Sequence, residues 1–213
     1  MPAHWVERLM VQAGVDACLL MLLIIREKLQ KQSKKPEGKR TQYILIWGQG
    51  LINLKQYDDS LFEFVLETNN MNKPKVGALD KTKLKSLIDQ ANYCKVAFYN
   101  EIPRGFLLCL PENITYDSMN YEWISKRYKN FMYIDRIAVI KEFQNKKLGT
   151  ALYSDLINYS KKEQYDIILC EVLISPPNHG SIRFHKRFDF IECGTQFIDG
   201  GTKQVQFFYK DIK

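Results

Sequence analysis

A chain of 213 residues with 46% hydrophobic, 26% charged and 13% aromatic residues can close one substantial core, and its composition excludes both a disordered chain and a polytopic membrane protein. The formal charge of +7 is uneven: residues 1–40 hold eight Lys or Arg against four acidic residues, so the rest is only mildly basic and gives no ground for a nucleic-acid partner. Five widely spaced cysteines without a Cys-x-x-Cys pair, and three histidines, leave no ligand set for a metal and fit reduced thiols in a cytoplasmic protein.

In chain order, residues 1–40 come first as an N-terminal extension and basic linker. Ala17 to Ile25 is an unbroken apolar run about half as long as a membrane-spanning helix needs. Basic residues from Arg26 to Arg40 follow it, the reverse of the order in a secretory signal. The stretch reads either as a helical extension capping the domain or, over residues 15–40, as a contact with an anionic membrane surface. One domain is expected over 41–213.

That domain alternates strand and helix signals. Tyr43 to Trp47 and Leu51 to Tyr57 are β-prone around the turn Gly48 to Gly50. Asp58 to Ser60 opens a helix to about Glu67, and Asp80 caps a second in which Leu84, Leu87, Ile88 and Ala91 keep helical spacing. Lys95 to Tyr99 and Gly105 to Leu110 form a hairpin about Asn100 and Glu101, and Pro111 to Asn130 reads as a long aromatic loop. A strand from Phe131 to Ile140, a helix from Leu148 to Lys162, a strand from Ile167 to Val172, a helix from Gly180 to Arg187 and strands at Ile191 to Gly194 and Val205 to Tyr209 complete a mixed α/β sheet.

Between the Phe131 strand and the Leu148 helix lies Gln144 to Ala151 (QNKKLGTA). A helix N-terminus offers unpaired N–H groups and the positive end of a dipole, which suits a diphosphate. This segment resembles the signature of the GNAT superfamily of acyl-CoA acyltransferases: Arg or Gln, two residues, Gly, one residue, then Gly or Ala. Gln144 and Gly149 match, whereas Lys147 stands in the place of the first glycine. If that position requires positive φ, a lysine costs on the order of 1 kcal/mol relative to glycine. Lys146 and Lys147 either approach the phosphates of CoA or are a solvated turn.

Some thirty residues on, Asn178, Ser181, Phe184 and Phe190 fall in register with the second half of the GNAT pattern, an Asn after a strand followed by a helix with Ala or Ser and Phe-Tyr, then Gly-Phe. His185 stands where many members carry the tyrosine that protonates the departing thiolate, and Asp189 replaces a glycine. A histidine is able to serve as that acid or only to hydrogen-bond the core. Glu171 occupies the place where several amine-acetylating members carry a catalytic glutamate. It reads as the general base or as a structural carboxylate.

The segment Ile114 to Ile137 is similar to a subgroup of mostly bacterial acetyltransferases sharing Tyr-x-Ser-x-Asn-Tyr-x-Trp, Tyr-(Val/Ile)-Asp-Arg and Pro-Pro-Asn with Phe-His; the resemblance covers about residues 51–210. It implies a GNAT fold, a mixed, mostly antiparallel sheet with splayed central strands. It also implies acetyl-CoA as donor, with no metal. The donor site would comprise Ile137, Ala138 and Val139 with Gln144, Asn145, Lys146, Lys147, Leu148, Gly149 and Thr150, completed by Asn178 and Phe184. Tyr116, Asn120, Tyr121, Trp123 and Asp135 are expected to line a pocket for an amine, or else to pack on the sheet. The expected function is N-acetyl transfer to a primary amine in a ternary complex, by a monomer or homodimer. A catalytically weak acyl-CoA-binding module is the alternative.

Overall fold

The computed structural model describes residues 43–45, 50–73 and 76–213. The apolar run Ala17 to Ile25 and the basic linker, with the membrane contact read from them, lie outside these residues. No helix among the described residues is long and apolar enough to cross a membrane.

Among the described residues, eight strands form one sheet: β1 (Tyr43–Leu45), β2 (Leu51–Gln56), β3 (Tyr93–Tyr99), β4 (Ile102–Pro111), β5 (Phe131–Val139), β6 (Ile167–Ser175), β7 (Ile191–Ile198) and β8 (Lys203–Asp211). Their order is β1-β2-β3-β4-β5-β6-β8-β7. Every neighbouring pair is antiparallel except β5 and β6, which run parallel. That pair is joined only from Phe131–Ile167 to Tyr133–Leu169. Beyond it β5 continues along β4 to Val139, and β6 continues along β8 to Ser175. The sheet therefore opens at its centre.

Among the described residues, five α-helices flank the sheet: α1 (Phe62–Met71), α2 (Lys81–Gln90), α3 (Met119–Ser125), α4 (Leu148–Lys162) and α5 (His179–Lys186). Asp80 caps α2, its carboxylate accepting from the Lys83 N–H at 2.7 Å. In α4, Leu148, Ala151, Leu152 and Leu156 are buried at helical spacing, and Lys161 and Lys162 in the last turn favour the negative end of its dipole. Strand alternation divides the core into two layers. Phe106, Leu108, Phe131, Tyr133, Leu169 and Phe207 pack with Val65, Leu84 and Leu87 of α1 and α2 and Tyr121 and Ile124 of α3. Leu107, Cys109, Met132, Ile134, Ile168 and Phe208 pack with Leu148, Leu152 and Leu156 of α4 and with Phe184 of α5.

Two differences from the sequence reading matter for the site. The segment Pro111 to Asn130 is not wholly loop, because Ser118 accepts from the Tyr121 N–H at 3.3 Å and starts α3. The strand expected to stop at Val172 runs to Ser175, since β8 pairs with it throughout. In β5, Leu108 pairs with Arg136 and Cys109 with Ile134, so Asp135 is a bulge residue. The bulge shifts the alternation, placing Ala138 in the α1 layer and Ile137 and Val139 in the α4 layer.

Candidate active site

The opening between β5 and β6 is a cleft of about 940 Å³ that reaches both layers. On the α1 side its walls include Tyr133, Glu171, Tyr116 and Ser118 to Asn120; on the α4 side they include Ile137, Val139, Leu148 to Thr150, Asn178, Phe184 and His185. Past Tyr133 the β5 edge facing β6 has no strand partner, so backbone groups between Ile134 and Val139 border the cleft.

Glu171 sits on β6 just where the strands part. Asn120 Nδ2 donates to its Oε1 at 3.1 Å, and the Tyr133 hydroxyl donates to its Oε2 at 2.8 Å. Burial raises its pKa from 4.5 to about 7; the Tyr133 and Asn120 hydrogen bonds and the nearby Arg136 oppose the rise, while Asp135 adds to it. A carboxylate with a pKa near neutrality is suited to take a proton from an ammonium.

At the other end of the cleft, Asn145 (φ 64) and Lys147 (φ 63) are left-handed. Lys147 is the N-cap of α4 and provides no side-chain acceptor for the N–H groups of the first turn. The first helical bond runs from the Ala151 N–H to the Lys147 carbonyl at 2.9 Å. A Cβ on Gly149 would lie 3.3 Å from the Phe184 ring and 3.8 Å from Ile137, so glycine keeps α4 close to α5 and to β5. Gln144 folds back, its Nε2 donating to the Val139 carbonyl at 3.3 Å. Bare N–H groups, a small residue and a lysine at the rim fit a diphosphate.

The profile of the acetyltransferase (GNAT) family matches residues 57–190. The chain belongs to that family. The reaction of this family is acetyl transfer from acetyl-CoA. No curated protein matches the chain by sequence. Among solved structures, the chain is similar to the ribosomal-protein-S18-alanine N-acetyltransferase of Escherichia coli, at 14% identity and a TM-score of 0.60 over 76% of this chain and 94% of that one. It is also similar to NAA60 of Arabidopsis thaliana, solved with a bisubstrate analogue, at 16% identity and a TM-score of 0.60 over 75% and 97%. A third is yncA of Salmonella typhimurium, solved with its cofactor acetyl-CoA, at 15% identity and a TM-score of 0.58 over 76% and 94%. At these identities the likeness shows a shared GNAT fold.

Within this GNAT domain the cleft is lined by Ile137, Ala138, Val139, Gln144, Asn145, Lys147, Leu148, Gly149, Thr150, Asn178 and Phe184 of the expected donor residues, but not by Lys146. Asn178 also caps α5, its Oδ1 accepting from the Ser181 N–H at 3.4 Å.

His185 lines the α4 side of the cleft, and of its two readings, acid or core hydrogen-bonding residue, its surroundings favour the second. Burial, at 2% exposure, lowers its pKa from 6.5 to about 4. Nδ1 lies 2.8 Å from the Ser181 carbonyl and so carries the ring proton, which leaves Nε2 to accept from the Tyr153 hydroxyl at 2.8 Å. At neutral pH the imidazole has no proton to give on that side.

Two of the expected acceptor residues pack in or against the core and do not line the cleft. Tyr121 is buried between Phe131, Tyr133 and Tyr116, and its hydroxyl is committed to the Pro111 carbonyl at 2.7 Å. Trp123 stacks on Phe207 with ring centroids 4.0 Å apart and an interplanar angle of 6°. Asp135 lines the cleft with both oxygens engaged, one by the Tyr116 hydroxyl at 2.7 Å and the other by Arg136. It is held in an ion pair, and Arg136 in turn donates to Asn69 of α1 at 3.0 Å. Tyr116 and Asn120 line the α1 end of the cleft. Tyr133, Tyr153 and Gln196 were not anticipated; only Tyr133, inside the Tyr-Ile-Asp-Arg segment, carried a signal.

Proposed function

We propose that this protein transfers an acetyl group from acetyl-CoA to a primary amine of a small molecule or peptide, with Glu171 as the general base. The observation that carries the reading is the carboxylate at the parting of β5 and β6, with its pKa raised to about 7. The donor enters along α4, where the first-turn N–H groups of Leu148, Gly149 and Thr150 hold its diphosphate and Lys147 adds charge. The amine enters from the α1 side, past Tyr116 and Asn120. Backbone N–H groups in the Ile137–Val139 stretch polarise the thioester carbonyl.

Transfer is direct. Glu171 takes one proton from the ammonium, freeing its lone pair. The C–N bond then forms, the C–S bond breaks, and the second proton lost by nitrogen leaves with the sulfur. No acyl-enzyme is required, and the nearest thiol, Cys170, is fully buried with its pKa raised well above the ordinary value by burial, which keeps it protonated and unreactive. The ribosomal-protein-S18-alanine N-acetyltransferase of similar fold acts on a protein, which supports a peptide as one class of acceptor. The subgroup with Tyr-x-Ser-x-Asn-Tyr-x-Trp and Phe-His segments is the part of the family in which we place the chain.

The weaker alternative, a catalytically weak acyl-CoA-binding or regulatory module, requires that Lys147 and Asp189 in glycine positions mark decay of the cofactor cleft. Both residues keep the left-handed backbone, φ 63 and φ 58, so the local shape is retained. A thiol-release assay over a set of amines, with Glu171→Gln beside the parent, tests the proposal. The expected result is turnover by the parent, and a loss of about a hundredfold or more in kcat for the variant with unchanged acetyl-CoA affinity. Variant activity within about twofold of the parent would remove Glu171 as the base, and binding without turnover on any amine would favour the module.

A further inference from the structure

Glu171 is held by two donors from different elements on the α1 side of the cleft, Asn120 of α3 and Tyr133 of β5. An amide is able to present either its NH2 or its oxygen, and an ionised carboxylate accepts only from the NH2. Gln196 Nε2 on β7 donates to Asn120 Oδ1 at 3.4 Å, leaving the NH2 of Asn120 for Glu171. Reversed, the amide would set its oxygen against a carboxylate and favour the protonated form. Four elements, α3, β5, β6 and β7, therefore meet at one carboxyl group.

We propose that Tyr133 and Asn120, the latter supported from behind by Gln196, are positioning residues that fix the Glu171 carboxylate and set the pH at which it can accept a proton. The inference rests on the reading of Glu171 as the base. A carboxylate has about four acceptor sites, so two donors leave room for an incoming ammonium.

The other groups facing Glu171 do not supply this control. On β5, Asp135 and Arg136 act in opposite directions on it, and they are paired with each other. Tyr153 of α4 and Cys170 beside Glu171 on β6 are fully buried with their pKa values raised well above the ordinary ones by burial, so both stay neutral. The partner of Glu171 on β8 is Phe207, which does not ionise. Against the burial of the carboxyl group, the two donors are the side-chain hydrogen bonds that stabilise the anion, and each is removable by substitution.

The test measures ionisation separately from catalysis. The 13C signal of the Glu171 carboxyl is followed against pH in glutamate-labelled protein, assigned by its disappearance in Glu171→Gln, and kcat/KM is recorded over the same range. In Asn120→Ala and Tyr133→Phe the titration midpoint should rise by about one pH unit, and in Gln196→Ala by less, with the acidic limb of kcat/KM moving alongside. A residue with only a structural role would lower stability without moving the midpoint. Unchanged midpoints in folded variants overturn the proposal; should Tyr133→Phe fail to fold, Asn120→Ala and Gln196→Ala decide it in the same way. Midpoints that move while the acidic limb stays put would support the clamp and sink Glu171 as the base.

Discussion

Lys147 and Asp189 both hold a left-handed backbone, at φ 63 and φ 58, in places where the family pattern has glycine. The turn before α4 thus keeps its shape, and the substitution costs stability rather than geometry. Lys147→Gly should stabilise the domain by about 1 kcal/mol, seen as a higher urea midpoint with an unchanged slope. If the lysine also meets the diphosphate, the same variant should bind acetyl-CoA more weakly, splitting stability from affinity; an unchanged urea midpoint would show that the side chain has other contacts sustaining this conformation. At the scale of single residues the sequence was informative where a residue's place in a motif sets its backbone position. Glu171 and Gly149 were legible for that reason. Tyr121 and Trp123 were not, because an aromatic residue on a short segment gives no sign of whether it turns toward the sheet or the cleft. The pairing of Tyr133 with Glu171 depends on the register of parallel strands distant in sequence, and that register has no local signal.

The elements themselves were mostly readable, since Asp80 before Leu84 and Leu87, and the turn at Asn100 and Glu101 between β3 and β4, are local patterns. The exception, α3, spans seven residues and two turns, too few to show a period, and its start depends on a single serine cap. What fixes α3 is tertiary. Trp123 lies flat on Phe207 and over Gly194 of β7, where a Cβ would come within 2.5 Å of its ring. Gly194→Ala should therefore push Trp123 off its seat and cost about 1–3 kcal/mol in stability. Because α3 also carries Asn120, kcat/KM should fall with it although Gly194 does not line the cleft. Wild-type stability and activity in this variant would mean that Trp123 does not anchor the helix.

At the scale of the whole molecule, the sheet keeps two oppositely shifted groups on its two faces, the Glu171 carboxyl toward α3 and the His185 imidazole toward α4. The raised Glu171 pKa means that between about 4.5 and about 7 the folded chain keeps a proton that the unfolded chain has released, so its contribution to stability is lost as pH rises through that window. His185 acts in the other direction. Its pKa falls from 6.5 to about 4, so the unfolded chain takes up a proton that the folded chain refuses, and stability is lost as pH falls through that range. Where the windows overlap the two slopes oppose each other. Glu171→Gln removes only the first, so the variant should gain stability over the parent progressively from pH of about 4.5 to about 7 and keep a constant advantage above it. Denaturation midpoints of both proteins across this range measure that difference. A gap that stays constant with pH would mean that the Glu171 carboxyl ionises at an ordinary value, and its suitability as a base would fall with it. A gap that widens as expected would show stability given up for a base poised near neutrality.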